Sequence, residues 1–202
     1  DMYHVRQRCA ILVSRMALTM PPPTFHDMVR ATTRWPDLCR CLISTSVMLT
    51  HARSRKLVAL GLAHILRHAS AEDTGLLSAV PDMIGLWTEV LGEVVEDEAG
   101  SADRYEREMS PTRALEIGED GIPFLDEFGL IEAAPTPSSA RTDAVRSRDP
   151  SFNVPLRAYV ADTLNTVLQD GSHKTELQSL LATIDPLVLD TLQRGLSERP
   201  VA

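Results

Sequence analysis

The stretch from Arg53 to His68 limits what this chain can fold into more than any other. It opens with three bases in four residues, Arg53, Arg55 and Lys56, and then turns almost wholly apolar. Leu57, Val58, Leu62, Ile65 and Leu66 recur at helical spacing, while Ala59, Leu60 and Ala63 close much of the remaining circumference. A helix that is apolar on most sides has to be covered on most sides. Gly61 weakens the helix by about 1 kcal/mol relative to Ala, so its expected use is to let another backbone come close. The stretch therefore predicts the inner helix of a stacked helical repeat.

The rest of the chain supplies the cover. Residues 3–18 place Val5, Cys9, Leu12, Val13 and Met16 at helical spacing, with Arg6, Arg8 and Arg15 expected on the opposite face. Pro21-Pro22-Pro23 ends that helix. Thr24 is the expected cap of the next, which stops near Trp35-Pro36. Asp37 is the expected cap of a helix carrying Leu38, Cys41, Leu42, Thr45 and Leu49, antiparallel to the 53–68 run. Glu72-Asp-Thr-Gly75 breaks the pattern. Ile84, Trp87, Leu91 and Val94 then mark a further helix. After Asp149-Pro150, Asn153 is the expected cap of a helix with Val160, Leu164, Val167 and Leu168 inward. Leu177 to Ile184 forms a short helix, and Asp185-Pro186 caps a last one. The aromatic fraction is 4%, and the apolar residues are mostly Leu, Val, Ile, Ala and Met, a mix suited to helices rather than to sheets. The expected fold is an all-α solenoid fragment of antiparallel helix pairs of the HEAT type, with a long acidic loop. Its expected divisions are helical repeats over 1–97, an acidic insertion over 98–150 and closing helices over 151–197.

Charge gives the insertion its character. Residues 93–132 hold 13 acids and 3 bases, whereas the whole chain has a formal net charge of -8, so everything outside this segment sums to +2. Within and beyond it, Ser110-Pro111 is expected to start a short helix through Ile117. Phe124, Leu125, Phe128, Leu130 and Ile131 form an apolar cluster, and the Pro/Ser stretch at 134–142 is expected to be mobile. The overall acidity argues against non-specific nucleic-acid binding. No apolar run reaches the roughly 20 residues of a membrane span, and no signal peptide is evident.

The residues that bear chemistry do not assemble into a motif. Cys9, Cys39 and Cys41 are an odd number, which argues against a disulfide framework and for a reducing compartment. Cys39 and Cys41, two apart on a helix, point away from each other, so neither metal nor cofactor is expected there. His64 and His68 share a helix face, but Ile65 stands where a zincin motif has Glu, so a structural pair is expected. No Gly-x-Ser-x-Gly, phosphate loop or dinucleotide fingerprint is present, and no enzyme activity is expected.

Two stretches carry a family resemblance. Arg55-Lys-Leu-Val-Ala-Leu-Gly-Leu-Ala-His-Ile-Leu66 resembles a helix near the C-terminal end of importin-β superfamily receptors, or karyopherins, which are solenoids of HEAT repeats. Asp149-Pro-Ser-Phe-Asn-Val-Pro-Leu-Arg-Ala-Tyr-Val-Ala-Asp162 resembles the closing segment of the importin-nine branch, with importin-eleven-type receptors a close rival. The acidic interruption lies between the two, as in that branch.

The resemblance implies the C-terminal part of a nuclear import receptor that shuttles between cytoplasm and nucleus. It implies Ran GTPase bound through N-terminal repeats absent from this chain, nucleoporins among the partners, and strongly basic cargo such as core histones. The expected cargo-binding residues are Glu93, Glu96, Asp97, Glu98, Asp103, Glu106, Glu108, Glu116, Glu119 and Asp120. Clustered carboxylates speed encounter with a basic partner at the cost of salt sensitivity. Arg53, Arg55 and Lys56 are expected in a repeat turn or as a latch on this acidic segment. A fragment of this kind also leaves the apolar face of its first helix uncovered, where a preceding repeat stacks. The competing reading is a helical-repeat scaffold outside transport, with the acidic loop keeping it soluble.

Overall fold

The computed structural model describes residues 2–70, 72–73, 75–100, 149–169 and 174–197. Among these, nine α-helices and one 3-10 turn account for the regular structure, and no strand occurs. The helices are α1 (Met2–Thr19), α2 (Pro22–Thr32), α3 (Trp35–Ser46), α4 (Ala52–Arg67), α5 (Val80–Gly100), α6 (Pro150–Asn153), α7 (Leu156–Gln169), α8 (Lys174–Leu181) and α9 (Pro186–Ser197), with the 3-10 turn at Leu77–Ala79. None is long and apolar enough to cross a membrane.

Proline sets the starts. Pro22, Pro36 and Pro150 occupy the first turn of α2, α3 and α6, where a missing N–H leaves no hydrogen bond unmade. This shifts two expected caps. Thr24 and Asp37 lie inside the first turns of α2 and α3 rather than at their caps, which are Pro21 and Arg34. Asp37 there still favours the positive end of the helix dipole. Asn153 does not cap the long helix that follows. It closes the short α6, whose cap is Asp149, with Oδ1 accepting from Ser151 N–H at 3.0 Å and from the Ser151 hydroxyl at 2.8 Å. Asp185 does cap α9, its carboxylate accepting from Leu187 N–H at 2.8 Å.

α4 is the inner helix. Every residue from Leu57 to Ala63 is buried, as are Ile65 and Leu66. Its principal neighbours are α1 and α7, with α5 next and then α3 and α6. α5 turns Met83, Ile84, Trp87, Val90 and Leu91 inward, and the Trp87 indole N–H donates to the Ala59 carbonyl at 3.1 Å, fixing α5 along α4. α9 lies along α5, and α8 packs on α7. The helices after residue 149 thus close the same core that the first five begin.

The contact between α1 and α4 is made by small residues. α1 buries Ala10, Ser14 and Ala17, and a Cβ placed on Gly61 would stand 2.9 Å from Ser14 Cβ and 3.0 Å from its Cα. Gly61 does admit another backbone. Val5, 59% exposed, and Leu12, 57% exposed, face away from this contact, while Ile11, Val13, Met16 and Leu18 are partly buried against the core. The stripe of Val5, Cys9 and Leu12 is therefore uncovered, and the side opposite it holds Ala10, Ser14 and Ala17 rather than arginines.

Candidate acidic interaction surface

The acidic segment starts on α5, and its first residue is already engaged. α4 begins with Arg53, Arg55 and Lys56 in or near its first turn and no acid there, so cations crowd the positive end of a helix dipole. α5 supplies the compensation. Glu89 and Glu93, one turn apart, both reach Arg55: Nη2 donates to Glu89 Oε2 at 2.7 Å, and Nη1 meets Glu93 Oε1. Arg55 is largely buried by this fork, while Glu89 stays exposed and Glu93 is partly so. Arg53 and Lys56 are engaged as well.

Of the residues expected to bind cargo, Glu93 is the one whose side chain is described. Glu96, Asp97 and Glu98 occupy the last turns of α5. Asp103, Glu106, Glu108, Glu116, Glu119 and Asp120 lie outside the described residues. So do the short helix from Ser110, the apolar cluster at Phe124 to Ile131 and the Pro/Ser stretch. Two ion pairs hold the chain where the described residues resume. Arg15 Nη2 on α1 donates to Asp149 Oδ2 at 2.7 Å, and Arg67 Nη1 donates to Asp162 Oδ2 at 2.5 Å.

Two polar clusters support this frame. In the first, Asp73 is wholly buried and takes five contacts. His26 Nδ1 (2.8 Å), Ser70 N–H (2.8 Å) and the Ser70 hydroxyl (3.0 Å) converge on Oδ2, while Trp35 Nε1 (2.9 Å) and the Arg30 Nε (3.3 Å) approach Oδ1. Burial pushes its carboxyl up, but the hydrogen bonds from Ser70 and His26 outweigh it and hold the pKa below the usual value. Among the described residues, the buried His26 Nε2 has no hydrogen-bond partner. Gly75, at φ +82°, turns the chain just after it against Pro36.

The second cluster joins α4 to α7. Tyr159 Oη and His64 Nδ1 are 2.5 Å apart, the His64 and His68 rings are 4.5 Å apart, and the Arg67 guanidinium lies 5.6 Å from the Tyr159 ring centre. Burial, then His68, Arg67 and His26, pull the His64 pKa down to about 4. Among the described residues no group of three or more His, Cys, Asp or Glu is arranged to hold a metal. Cys39 is buried, its thiol pushed up to about 12 by burial, whereas Cys41 is exposed.

Sequence reasoning missed the Asp73 cluster. Glu72-Asp-Thr-Gly75 reads as a break in periodicity, and only the positions of His26, Arg30 and Trp35, some 40 residues upstream, show that its acid is a buried hub. Taken together, antiparallel helices stacked about one inner helix define an α-solenoid segment.

A family model described as importin-11-like, TPR repeats, matches residues 2–197. The chain belongs to this importin-11-like family, a family of transport receptors rather than of enzymes. The family description gives the repeats as TPR where the sequence suggested HEAT; both are stacked pairs of antiparallel helices. No curated protein sequence matches the chain, and no solved structure does.

Proposed function

We propose that this chain forms a cargo-binding part of a nuclear import receptor, taking basic protein cargo on the acidic surface that starts at Glu93. The observation that carries this reading is the confinement of acidity to one segment, 13 acids against 3 bases over residues 93–132, on an importin-like scaffold. Carboxylates gathered in this way raise the local concentration of a cation-rich partner and compete for charges that would otherwise meet nucleic-acid phosphate. In this proposal Glu93, Glu96, Asp97 and Glu98 form the α5 end of the surface. Asp103, Glu106, Glu108, Glu116, Glu119 and Asp120 extend it. Ran dependence, nucleoporin contact and shuttling belong to the receptor as a whole, with Ran on its N-terminal repeats.

The test is a titration of a core histone dimer at low and raised salt, repeated with Glu93, Glu96, Asp97 and Glu98 changed to their amides. Binding that weakens by about tenfold in each case fits a charge-steered contact. Binding unaffected by the four substitutions, or absent at low salt, removes the proposal. Cargo choice also separates the branches, because selectivity for histone dimers is what the importin-nine resemblance implies.

Arg55 bears on both the proposal and its rival. As a latch it competes with cargo for Glu93, so Arg55→Ala leaves affinity unchanged or raises it. The same ion pair favours a second reading, in which Glu89 and Glu93 serve only the packing of α5 on α4 and the acidity beyond them keeps a scaffold soluble. Under that reading the four amide substitutions lower solubility and leave no cargo affinity to lose.

A further inference from the structure

We propose that the contact between His64 of α4 and Tyr159 of α7 is an acid-sensitive clasp: when the imidazole takes up a proton, α7 comes free of the inner helix. Among the described residues, α7 turns Leu156, Val160, Thr163 and Val167 inward, and α4 is buried from Leu57 to Ala63. Beyond that apolar stretch the pairing turns polar. His64 Nδ1 and Tyr159 Oη stand 2.5 Å apart, with the two rings 13° from parallel. His64 Nε2, on the other side of the ring, is buried with no hydrogen-bond partner.

A neutral imidazole suits this place. It carries one proton, and the Tyr159 hydroxyl serves as donor or acceptor to whichever form Nδ1 takes. A protonated imidazole does not suit it. Both nitrogens then donate, so Tyr159 has to turn its own proton away, and Nε2–H is left buried without an acceptor. The neighbouring cations oppose the change as well. The His68 ring lies 4.5 Å from that of His64 on the same helix, the Arg67 guanidinium lies 5.6 Å from the Tyr159 ring centre, and His26 of α2 is near enough to act on His64.

The acids nearby are engaged or exposed. Asp162 of α7 is 59% exposed and bonded to Arg67, and Asp73 holds His26. Arg157 is a further base on α7. Of the other elements packed on α4, α1 brings Arg15, bonded to Asp149 at the cap of α6, and α3 brings Asp37 and Arg40, bonded to each other, with the buried thiol of Cys39. α5 brings the exposed Asp82 at its start and, further along, Glu89 and Glu93 on Arg55. Burial first, then His68, Arg67 and His26, hold His64 at about 4 against its ordinary 6.5. Once α7 is off, the ring titrates normally, so the proton favours the open form. That form is expected to be about twentyfold more populated at pH 5 than at pH 7.

The experiment is hydrogen–deuterium exchange on the whole chain at pH 7 and pH 5, with rates corrected for the intrinsic effect of pH. Protection of the α7 amides is expected to fall about twentyfold at pH 5 and to end below that of the α5 amides, while Trp87, bonded to α4, keeps its emission. His64→Gln should remove most of the fall. Arg67→Gln, which takes away a neighbouring cation, should reduce it, and decides the matter where His64→Gln does not fold. The proposal is overturned by α7 protection that does not change with pH, or by a fall that both variants leave in place. It is overturned as well if α7 and α5 exchange at one common protection at pH 5, because acid then loosens the whole molecule rather than this contact.

Discussion

Gly61 sets how near α1 comes to α4, and the margin is small. The nearest atoms a methyl group would meet include Ser14 Cα at 3.0 Å, a backbone atom that cannot turn aside. Gly61→Ala gains about 1 kcal/mol of helix propensity, but opening the interface between two packed helices costs about 1–3 kcal/mol. The variant is therefore expected to unfold at a lower urea concentration than the parent, against the usual trend for Gly to Ala in a helix. His64 makes the second residue-scale case. Its pKa lies near 4 in the folded chain, and that of His68 is also lowered, by burial and then by Arg67 and His26. In the unfolded chain both titrate near the ordinary value of 6.5. As pH falls below that value the unfolded chain takes up protons that the folded one refuses, so stability declines from about pH 6.5 towards 4. Melting temperatures measured across this range should fall, and His64→Gln should flatten the descent because glutamine does not titrate.

The helices differ in how plainly the sequence announces them, and the reason lies in what covers each one. α4 is apolar around its circumference, so its central place follows from the pattern alone. In α5 the stripe of Ile84, Trp87 and Leu91 has a single inward side, and Trp87 sits on it at 0% exposure. α1 is harder. Its apolar stripe is divided, with Val5 and Leu12 exposed but Val13 and Met16 partly buried against the core, while its closest contact with α4 uses Ala10, Ser14 and Ala17. Periodicity finds an apolar face but does not say whether the neighbour on that face is part of the chain. The start of the candidate site was legible in part. The charge count located its acids, yet the Arg55 fork joins residues 34 and 38 positions apart, a distance over which local pattern carries no information. A double-mutant cycle on Arg55→Ala and Glu89→Gln tests that fork. The coupling is expected to be about 0.5–1 kcal/mol, since Glu89 is 60% exposed and solvent screens the pair. A larger loss is expected when Glu93 is also neutralised, because Arg55 then keeps neither carboxylate partner of the fork.

On the scale of the whole molecule, helices from either side of the acidic segment share one core. α7 covers α4, α9 lies on α5, and Leu156, Val160 and Leu177 are as fully buried as Leu60 or Leu62. Leu62→Ala is expected to cost about 2–5 kcal/mol, and Leu156→Ala a similar amount despite standing almost a hundred residues away, because each empties a place in the same packing. Chemical denaturation should accordingly give one cooperative transition, with the two substitutions shifting the same midpoint.

The Arg15–Asp149 bond and the burial of α7 against α4 bear on what happens if the backbone is cut. Cleavage by a protease between Gly100 and Asp149 severs no contact among the described helices, so the two products have reason to stay associated. On gel filtration under native conditions they should travel as one species, and separate only in denaturant. Such a nicked pair would be held by the Arg15–Asp149 bond and by the packing of α7 on α4 and of α9 on α5.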